Sequence, residues 1–322
     1  MKQLHHVLFI LLVGMSVSSC KTTKYSDVGT DTYTIEDFEV YTSLAGVSSV
    51  VQKELRTKGI KRIVLVNGGH IEKGLNFDLP KQELFDYLYK YVPDEDSDAM
   101  IVLDLEGEKM IELNRTTDQQ MIDKIINSYI AIYDFVKSQR PNATIGYYGY
   151  PFRDYWNRND EWRARNERLL PLFARVDALF PSVYDFYVDG KDVKAASDRA
   201  YVIENVEESL RLAADFDIPV YPFIWHRYHN SNKEKALQFI DEDEFADHVE
   251  AIAAAEYNGS RAAGLVWWSS EKFFFNIEKK KGMLRTRSST SQSFEDYSTR
   301  NSLRYINSIE RGIKKARSAA QE

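Results

Sequence analysis

Two acidic side chains lie close together at the end of an apolar run. Residues 101–105 are apolar except for Asp104, and Glu106 follows directly. Because successive side chains of a β-strand point to opposite faces, we expect Asp104 and Glu106 on one face and Leu105 on the other. Repulsion between two carboxylates in a partly desolvated site favours the protonated form of one of them near neutral pH. The pair is therefore a candidate general acid and its partner; two solvated loop carboxylates are the alternative.

Aromatic side chains gather at the ends of four later runs. They are Tyr147 and Tyr148, Tyr184, Trp225, and Trp267 and Trp268. Strand alternation directs one of the two adjacent tyrosines inward, where its ring can stack on a sugar and its hydroxyl can form a hydrogen bond. Core packing accounts for single cases. Four such strand ends beside a carboxylate pair favour a saccharide-binding groove.

Seven short apolar or β-branched runs, each ending in a polar or glycine signal, supply the elements that hold these residues. They are residues 38–43, 62–67, 100–105, 144–150, 178–184, 219–225 and 263–269. Most of the intervening stretches, such as 119–138 and 203–215, have the apolar spacing of helices. Strands alternating with helices predict an α/β protein with a parallel sheet. Since the early strands are not followed by a glycine-rich dinucleotide motif, a barrel is favoured over an open sheet. Residues 301–319 are predicted to form a closing amphipathic helix.

The series of strand-end motifs resembles the hyaluronidase family of venoms and mammalian tissues. Asp104-Leu105-Glu106 resembles the family's Asp-aromatic-Glu, and residues 146–151 resemble its Gly-Tyr-Tyr-Gly-Tyr-Pro. Residues 179–184 and 264–270 resemble its Leu-Pro-Ser-Val-Tyr and Gly-Ile-Ile-Ile-Trp-Gly-Ser-Ser motifs, and Asn67-Gly68-Gly69 resembles its Gly-Gly segment. The similarity extends over roughly residues 60–271. Each motif alone is weak, and it is the order of the series that is specific.

The resemblance implies a distorted TIM-like (β/α) barrel of about seven parallel strands and a retaining, substrate-assisted glycosidase mechanism. In that mechanism Glu106 would be the acid and Asp104 would position the substrate's acetamido group. Tyr148 and Tyr184 would hold that group, and Trp268 would form the floor under the sugar. Three further residues are candidate substrate contacts from their positions at strand ends: Tyr147, Trp225 and Arg227.

Basic side chains suggest the charge of the substrate. Lys279, Lys280 and Lys281, with Arg285 and Arg287, follow the last strand, and Arg153, Arg158 and Arg163 follow the fourth. If these loops face the groove, they favour an anionic polymer such as one of uronic acids or sulfated sugars; a solvated loop is the alternative. His226 and His229 are predicted to form a polar groove wall, because no third ligand at metal-site spacing accompanies them. We expect no metal and no cofactor.

The N-terminus reads as a targeting segment. Lys2 precedes the apolar residues 7–15, and Val17-Ser18-Ser19-Cys20 resembles the lipobox of bacterial lipoproteins. Residues 1–19 are thus predicted to be a lipoprotein signal peptide, Cys20 a lipidation site, and 20–34 a flexible tether. An ordinary signal peptide with an incidental cysteine is the alternative. The predicted location is the bacterial cell envelope, with contact to the membrane through the lipid alone at the outer membrane or cell surface.

The remaining chain, residues 35–322, is predicted to be one catalytic barrel domain. The formal net charge is -7, and loss of Lys2 with the signal makes it -8, which argues against general nucleic-acid binding. We expect an endo-acting glycoside hydrolase that cleaves next to N-acetylhexosamine in a glycosaminoglycan or similar anionic polysaccharide. The alternatives are a glycosidase acting on another polymer and a non-catalytic, surface glycan-binding lipoprotein. Both Asp104 and Glu106 are present, which argues against the second alternative, since binding alone needs neither.

Overall fold

The structure is a computed structural model that describes residues 35–187, 196–280 and 293–321. The described residues all fall in one compact unit. The predicted signal peptide, Cys20 and the tether lie outside the described residues, as do Lys281, Arg285 and Arg287. The predictions for these residues remain predictions.

The strands are short and mostly parallel. They are β1 (Glu39–Thr42), β2 (Lys61–Arg62), β3 (Val64–Asn67), β4 (Met100–Asp104), β5 (Thr144–Tyr147), β6 (Phe223–Ile224), β7 (Glu256–Tyr257), β8 (Ser260–Arg261) and β9 (Gly264–Trp267). Only β7 and β8 pair in antiparallel fashion among these strands, through a turn in which Asn258 and Gly259 both have positive φ. Asn and Gly tolerate that conformation, which fits a tight hairpin turn.

Parallel pairing joins seven chain segments into a closed ring. Strand β1 pairs with β2 and β9, β3 with β4, β4 with β5, and β6 with β9. Strands β2 and β3 flank Ile63, whose backbone N–H donates to the Thr42 carbonyl at 3.0 Å, so both belong to one segment of the ring. Residues 178–183 fill the remaining place through single parallel bridges to Tyr148, Val220 and Phe223. Each segment matches one of the seven predicted runs to within one residue, and the α/β barrel prediction is confirmed.

Helices cover the outside of the ring. They are α1 (Ser49–Thr57), α2 (Lys81–Tyr91), α3 (Glu108–Arg115), α4 (Gln119–Gln139), α5 (Asp160–Glu167), α6 (Leu170–Phe173), α7 (Ala196–Ala214), α8 (Glu242–Ala254), α9 (Glu271–Lys280) and α10 (Phe294–Ala320), with 3-10 turns at Ile35–Asp37 and Gly68–His70. Within the described part of the chain, no helix combines the length and the apolar character needed to cross a bilayer.

Side-chain alternation separates two apolar layers. Val102 and Tyr148 belong to a cluster inside the ring, together with Phe180, Phe223 and Val266. Their sequence neighbours, among them Leu103 and Tyr147, pack into the larger cluster between strands and helices. This alternation places Asp104 on the same face as Val102, toward the interior.

Helix α4 illustrates how the outer layer forms. Asp118 caps its N-terminus by accepting a hydrogen bond from the Gln120 N–H at 3.0 Å. Its buried residues recur at helical spacing and form one apolar stripe: Ile122, Ile125, Ile126, Tyr129, Ile132, Tyr133 and Val136. This stripe belongs to the same cluster as Ile101 and Ile145, the outward-facing side chains of β4 and β5.

The C-terminal helix α10 closes the layer against α8. It begins seven residues earlier than the predicted start at Asn301, because Ser293 caps it by accepting from the Asp296 N–H at 3.1 Å. Gly312 allows the close helix approach, since a Cβ there would lie 2.4 Å from the Ala246 carbonyl oxygen. The closing helix is therefore confirmed, with a longer extent than the apolar spacing indicated.

Candidate active site

The carboxylate pair lies at the carboxyl end of β4. Asp104 is the last residue of that strand, and its Oδ1 is buried without a hydrogen-bond partner in the described residues. Burial raises the pKa of Asp104 to about 7, and the nearby charges of Glu106 and Glu72 act in the same direction. Asp104 can thus hold a proton near neutral pH, which solvated aspartates do not.

Glu106 lies two residues beyond, on an exposed turn before α3. The surrounding protein partly desolvates its carboxyl and raises its pKa, while the positive charge of Arg153 opposes the rise. The predicted general acid therefore stands at the opening, where a substrate can reach it, and the structure places both carboxylates in one site.

A cavity of about 370 Å³ opens at this end of the barrel. It is lined by six of the residues predicted to be catalytic or to contact substrate: Asp104, Glu106, Tyr148, Tyr184, Trp225 and Trp268. Leu65, Phe223, Leu237, Asn230, Phe273 and Phe274 complete the walls together with Arg153 and His229. An apolar pocket with a few convergent polar groups is the usual form of a ligand site.

Aromatic rings form a continuous wall of the cavity. Tyr184 and Trp268 stack with ring centroids 6.1 Å apart and an interplanar angle of 25°. Trp225 meets Trp268 edge to face at 5.1 Å. The Tyr148 hydroxyl is 3.1 Å from the Ser182 Oγ, which orients it inside the barrel. Such a wall offers flat apolar surfaces for sugar rings, with a hydroxyl at a fixed position beside the carboxylates.

Tyr147 does not line the cavity, so its prediction as a substrate contact is wrong. Its side chain is buried on the outer face of β5, and its hydroxyl donates to the Tyr129 carbonyl of α4 at 2.6 Å. Strand alternation admits only one of the two adjacent tyrosines to the interior, and that one is Tyr148.

Arg227 is likewise not among the residues that line the cavity, and its predicted contact with substrate is also wrong. Its side chain is 1% exposed and forms ion pairs with Glu278 at 2.8 Å and with Glu271 at 3.6 Å. It also donates to the Tyr297 hydroxyl of α10 at 2.6 Å. These contacts pair the two terminal nitrogens of a buried guanidinium, which links the end of the sixth ring segment to α9 and α10, while its Nε has no hydrogen-bond partner among the described residues.

The two histidines have different environments. His226 is buried, accepts at Nδ1 from the Trp267 Nε1–H at 2.8 Å, and is 2.9 Å from Glu271 through Nε2. Since Trp267 can only donate, Nδ1 must be unprotonated and Nε2 carries the hydrogen. His226 is thus a structural residue and not a groove wall. His229 lines the cavity as predicted, and burial together with Arg153 lowers its pKa to about 4, so it is neutral at pH 7.

The basic loop after the fourth ring segment contributes one side chain to the site. Arg153 lines the cavity, with its guanidinium carbon 5.4 Å from the Phe186 ring centroid. Arg158 instead pairs with Glu204 at 2.8 Å, and Arg163 is exposed on α5. The sequence placed the three arginines in one loop, and the structure shows that Arg153 lines the cavity while Arg158 and Arg163 do not.

Some residues near the site carried no sequence signal. Glu72 follows the Gly68–His70 turn, and its Oε2 accepts from the Gly107 N–H at 2.9 Å, next to Glu106. Phe273 and Phe274 reach the cavity from α9. A lone glutamate 34 residues before Glu106 and two aromatics in a helix are ordinary features, so their positions required the structure.

Comparison with known proteins identifies relatives of this chain. A model of the hyaluronidase family matches residues 108–298, more than half of the chain, beginning two residues after Glu106. Hyaluronidase-2 of Homo sapiens is 29% identical over 189 residues, covering 53% of this chain and 34% of that protein. Hyaluronidase conohyal-ad1 of Conus adamsonii is 24% identical over 143 residues, covering 42% and 37%. The chain spans about a third of the length of these curated relatives.

The fold has solved counterparts. Bee venom hyaluronidase superposes with a TM-score of 0.55 at 18% identity, covering 76% of this chain and 97% of that one. The structure of bee venom hyaluronidase in complex with a hyaluronic acid tetramer gives a TM-score of 0.53 at 17% identity, covering 76% and 96%. At these identities the likeness is one of fold. Since the family model matches more than half of its sequence, and its barrel matches these structures, the chain belongs to the hyaluronidase family.

Proposed function

We propose that this protein is an endo-acting glycoside hydrolase that cleaves bonds next to N-acetylhexosamine in a hyaluronan-like polysaccharide. One observation carries the proposal: the cavity brings a pair of carboxylates with raised pKa values together with an aromatic wall. Membership of the hyaluronidase family supports the same reaction. Binding alone requires neither carboxylate, so their joint presence favours hydrolysis over a purely glycan-binding role.

The proposed reaction begins with proton donation. Protonated Glu106 gives its proton to the glycosidic oxygen, and the bond from that oxygen to the anomeric carbon breaks. The substrate's acetamido carbonyl oxygen forms a new bond to that carbon from the opposite face. Asp104, as the carboxylate, accepts the acetamido N–H and balances the positive charge that develops on the group. Before this step the pair therefore holds one proton in total, on Glu106 in the reactive form.

Hydrolysis completes the cycle. Glu106, now a carboxylate, removes a proton from water, whose oxygen attacks the anomeric carbon and displaces the acetamido oxygen. The configuration is retained because the carbon is attacked twice, and Glu106 regains its proton. Tyr148 and Tyr184 hold the acetamido group in this scheme, and Trp268 supports the sugar ring.

The anionic character of the substrate is supported by Arg153. Its guanidinium lines the same cavity as the carboxylates, within a chain whose formal net charge is -7. A local positive charge in an acidic protein favours a polymer with regularly spaced carboxylates or sulfates. A neutral N-acetylhexosamine polymer is the main alternative substrate.

A comparison of polymers tests the proposal. The purified protein is incubated with hyaluronic acid, a sulfated glycosaminoglycan and a soluble neutral polymer of N-acetylglucosamine, and product sizes are followed with time. We expect a rapid fall in the mean size of an anionic polymer, with KM rising as salt is added. Equal turnover of anionic and neutral polymers without salt dependence would contradict the anionic assignment. Release of terminal units alone would contradict endo action.

We further propose that the enzyme is held at the bacterial cell envelope by a lipid on Cys20. The support is the lipobox-like Val17-Ser18-Ser19-Cys20 behind an apolar segment. The polar residues that follow would hold the catalytic domain away from the membrane, where it can reach a long polymer.

A further inference from the structure

A third carboxyl group, that of Glu72, lies close to the pair and comes from a different part of the chain. Glu72 follows the short turn Gly68–His70 after β3, and its backbone N–H donates to the Gly68 carbonyl at 2.8 Å. Its side chain is half-buried and reaches the end of β4, where Oε2 accepts from the Gly107 N–H at 2.9 Å. This N–H belongs to the peptide bond between Glu106 and Gly107.

The contact between the two segments is tight. A Cβ at Gly107 would lie 2.6 Å from the Glu72 Oε2, and a Cβ at Gly68 would lie 2.8 Å from the Asp104 carbonyl oxygen. The glycines therefore let the segment 68–72 press against residues 104–107 at both ends. Glu106 lies between these two contact points, so the position of its backbone depends on them.

The charged and titratable groups around Glu72 come from four elements. Lys109 of α3 is buried and exerts a favourable coulombic effect on it, and the Tyr129 hydroxyl of α4 lies 3.5 Å from its Oε1. Asp104 of β4 is near enough for the two negative charges to repel. The Glu72 charge also acts electrostatically on Tyr147 and Tyr150 of the fourth ring segment.

These charges affect Glu72 in opposing ways. Burial raises the pKa of Glu72, whereas the Gly107 N–H and Lys109 lower it. Burial lowers the pKa of Lys109 in turn, and Glu72 opposes that shift. Burial is the largest of these effects, so the pKa of Glu72 lies above its ordinary value, and the Gly107 N–H, Lys109 and the Tyr129 hydroxyl limit the rise.

We infer that Glu72 is a positioning residue for the reaction: it fixes the backbone at Glu106 through the Gly107 N–H, and its carboxyl group acts on the neighbouring Asp104. The inference deepens the proposed function and rests on it only for the kinetic consequence. Loss of the Glu72 charge removes a repulsion that favours protonated Asp104, so the pKa of Asp104 must fall. Loss of the hydrogen bond frees the peptide after Glu106.

Two substitutions separate these roles. Glu72→Gln keeps the shape and an acceptor oxygen but removes the charge, and Glu72→Ala removes both. Glu108→Gln is the matched control, because Glu108 is exposed and lies only two residues beyond Glu106. The full-length protein is labelled with 13C at aspartate carboxyls, the Asp104 signal is assigned by its absence in Asp104→Asn, and its titration is recorded. The pH dependence of kcat and KM is measured in parallel on hyaluronic acid.

We expect Glu72→Gln to lower the Asp104 titration midpoint by about half a pH unit or more. The pH at which kcat declines on the alkaline side should shift downward by a similar amount. At pH values below that decline, kcat should stay within about threefold of wild type. Glu72→Ala should show the same shift and also lose about tenfold or more in kcat at low pH, with KM less affected. In Glu108→Gln, the Asp104 carboxyl should titrate as it does in the wild type.

An unchanged Asp104 midpoint in Glu72→Gln would overturn the charge role, and full kcat in folded Glu72→Ala would overturn the positioning role. If Glu72→Ala does not fold, Glu72→Gln still decides the charge role through its titration. A wild-type protein that hydrolyses no polymer would refute the proposed function, while the Asp104 titration would still test the inference.

Discussion

Arg153 and Glu72 act on the carboxylate pair in opposite directions. Arg153 favours ionised Glu106, whereas Glu72 favours protonated Asp104. Arg153 follows β5 in the sequence, and Glu72 follows β3. The pair is therefore poised between a cation and an anion, a common way for a site to set its proton count near neutral pH.

Removal of the Arg153 charge should raise the working pH and weaken binding. In Arg153→Gln the pKa of Glu106 rises further, because the opposing positive charge is gone, and the alkaline limb of kcat should move to higher pH. KM for hyaluronic acid should increase roughly two- to fivefold, as expected for one partly exposed charge pair. Arg163→Gln, an exposed arginine on α5, is the control and should leave both values unchanged. A limb that moves to lower pH in Arg153→Gln would contradict this arrangement.

At the residue scale, strand alternation predicted which side chains share one face of a strand. It indicated that Asp104 and Glu106 share a face and that one of Tyr147 and Tyr148 points inward, both of which the structure shows. It did not choose between the two tyrosines, and it did not show that Arg227 is buried among Glu271, Glu278 and Tyr297. These partners lie 44 to 70 residues away along the chain, and short-range patterns carry no information about them.

At the scale of elements, a buried polar network joins the last ring segments to the helices behind them. Glu271 at the start of α9 contacts His226, Arg227 and the Ser269 hydroxyl. Burial alone would raise the pKa of Glu271, but these contacts outweigh it and hold the pKa at about 2. The network fixes the segment that follows Trp268, so the aromatic floor depends on it.

Glu271→Gln should destabilise the fold without altering the carboxylate pair. Loss of one partner leaves Arg227 buried with an incomplete charge balance, which costs about 3 kcal/mol in unfolding free energy. Glu256→Gln, which removes a surface ion pair with Arg261, should cost about 1 kcal/mol or less. Urea unfolding followed by circular dichroism measures both.

The pH dependence of this difference has a definite sign. Because the folded pKa of Glu271 is depressed, its contribution is fully present above the unfolded value of about 4.3 and is lost as pH falls toward about 2. The gap between wild type and Glu271→Gln should therefore be constant from pH 7 to 5 and shrink below that. A gap that widens on acidification would contradict the assigned ionisation state.

At the scale of the whole molecule, the seven apolar runs located all ring segments, because each buried strand is apolar and ends in a polar or glycine signal. What the sequence did not predict was how weakly some segments pair. Residues 178–183 form only single bridges, since Pro181 lacks an N–H. The early start of α10 was missed because Glu295, Asp296 and the polar residues 298–300 interrupt the apolar spacing, and because the start depends on the Ser293 cap.

The lipid anchor is a prediction about the whole molecule. Cys20→Ala removes the only thiol of the chain and should shift the protein from the membrane fraction to the soluble fraction. Hydrolysis per molecule should be unaffected, because Cys20 is predicted to precede the catalytic domain and is not one of the predicted catalytic or substrate-binding residues. Fractionation followed by an activity assay measures both properties. Membrane association that persists after signal cleavage would contradict a lipid on Cys20.

Glu106 is proposed to be the general acid of a glycosidase, and the Glu106→Gln variant examines that role with the smallest change in shape. The amide keeps the size of the side chain but cannot donate the proton, so the rate of hyaluronic acid depolymerisation should fall about 100-fold or more. Binding of hyaluronic acid oligosaccharides, measured by calorimetry, should stay near the wild-type value, and Glu108→Gln should remain active. Turnover by Glu106→Gln within a few-fold of wild type would show that Glu106 is not the general acid.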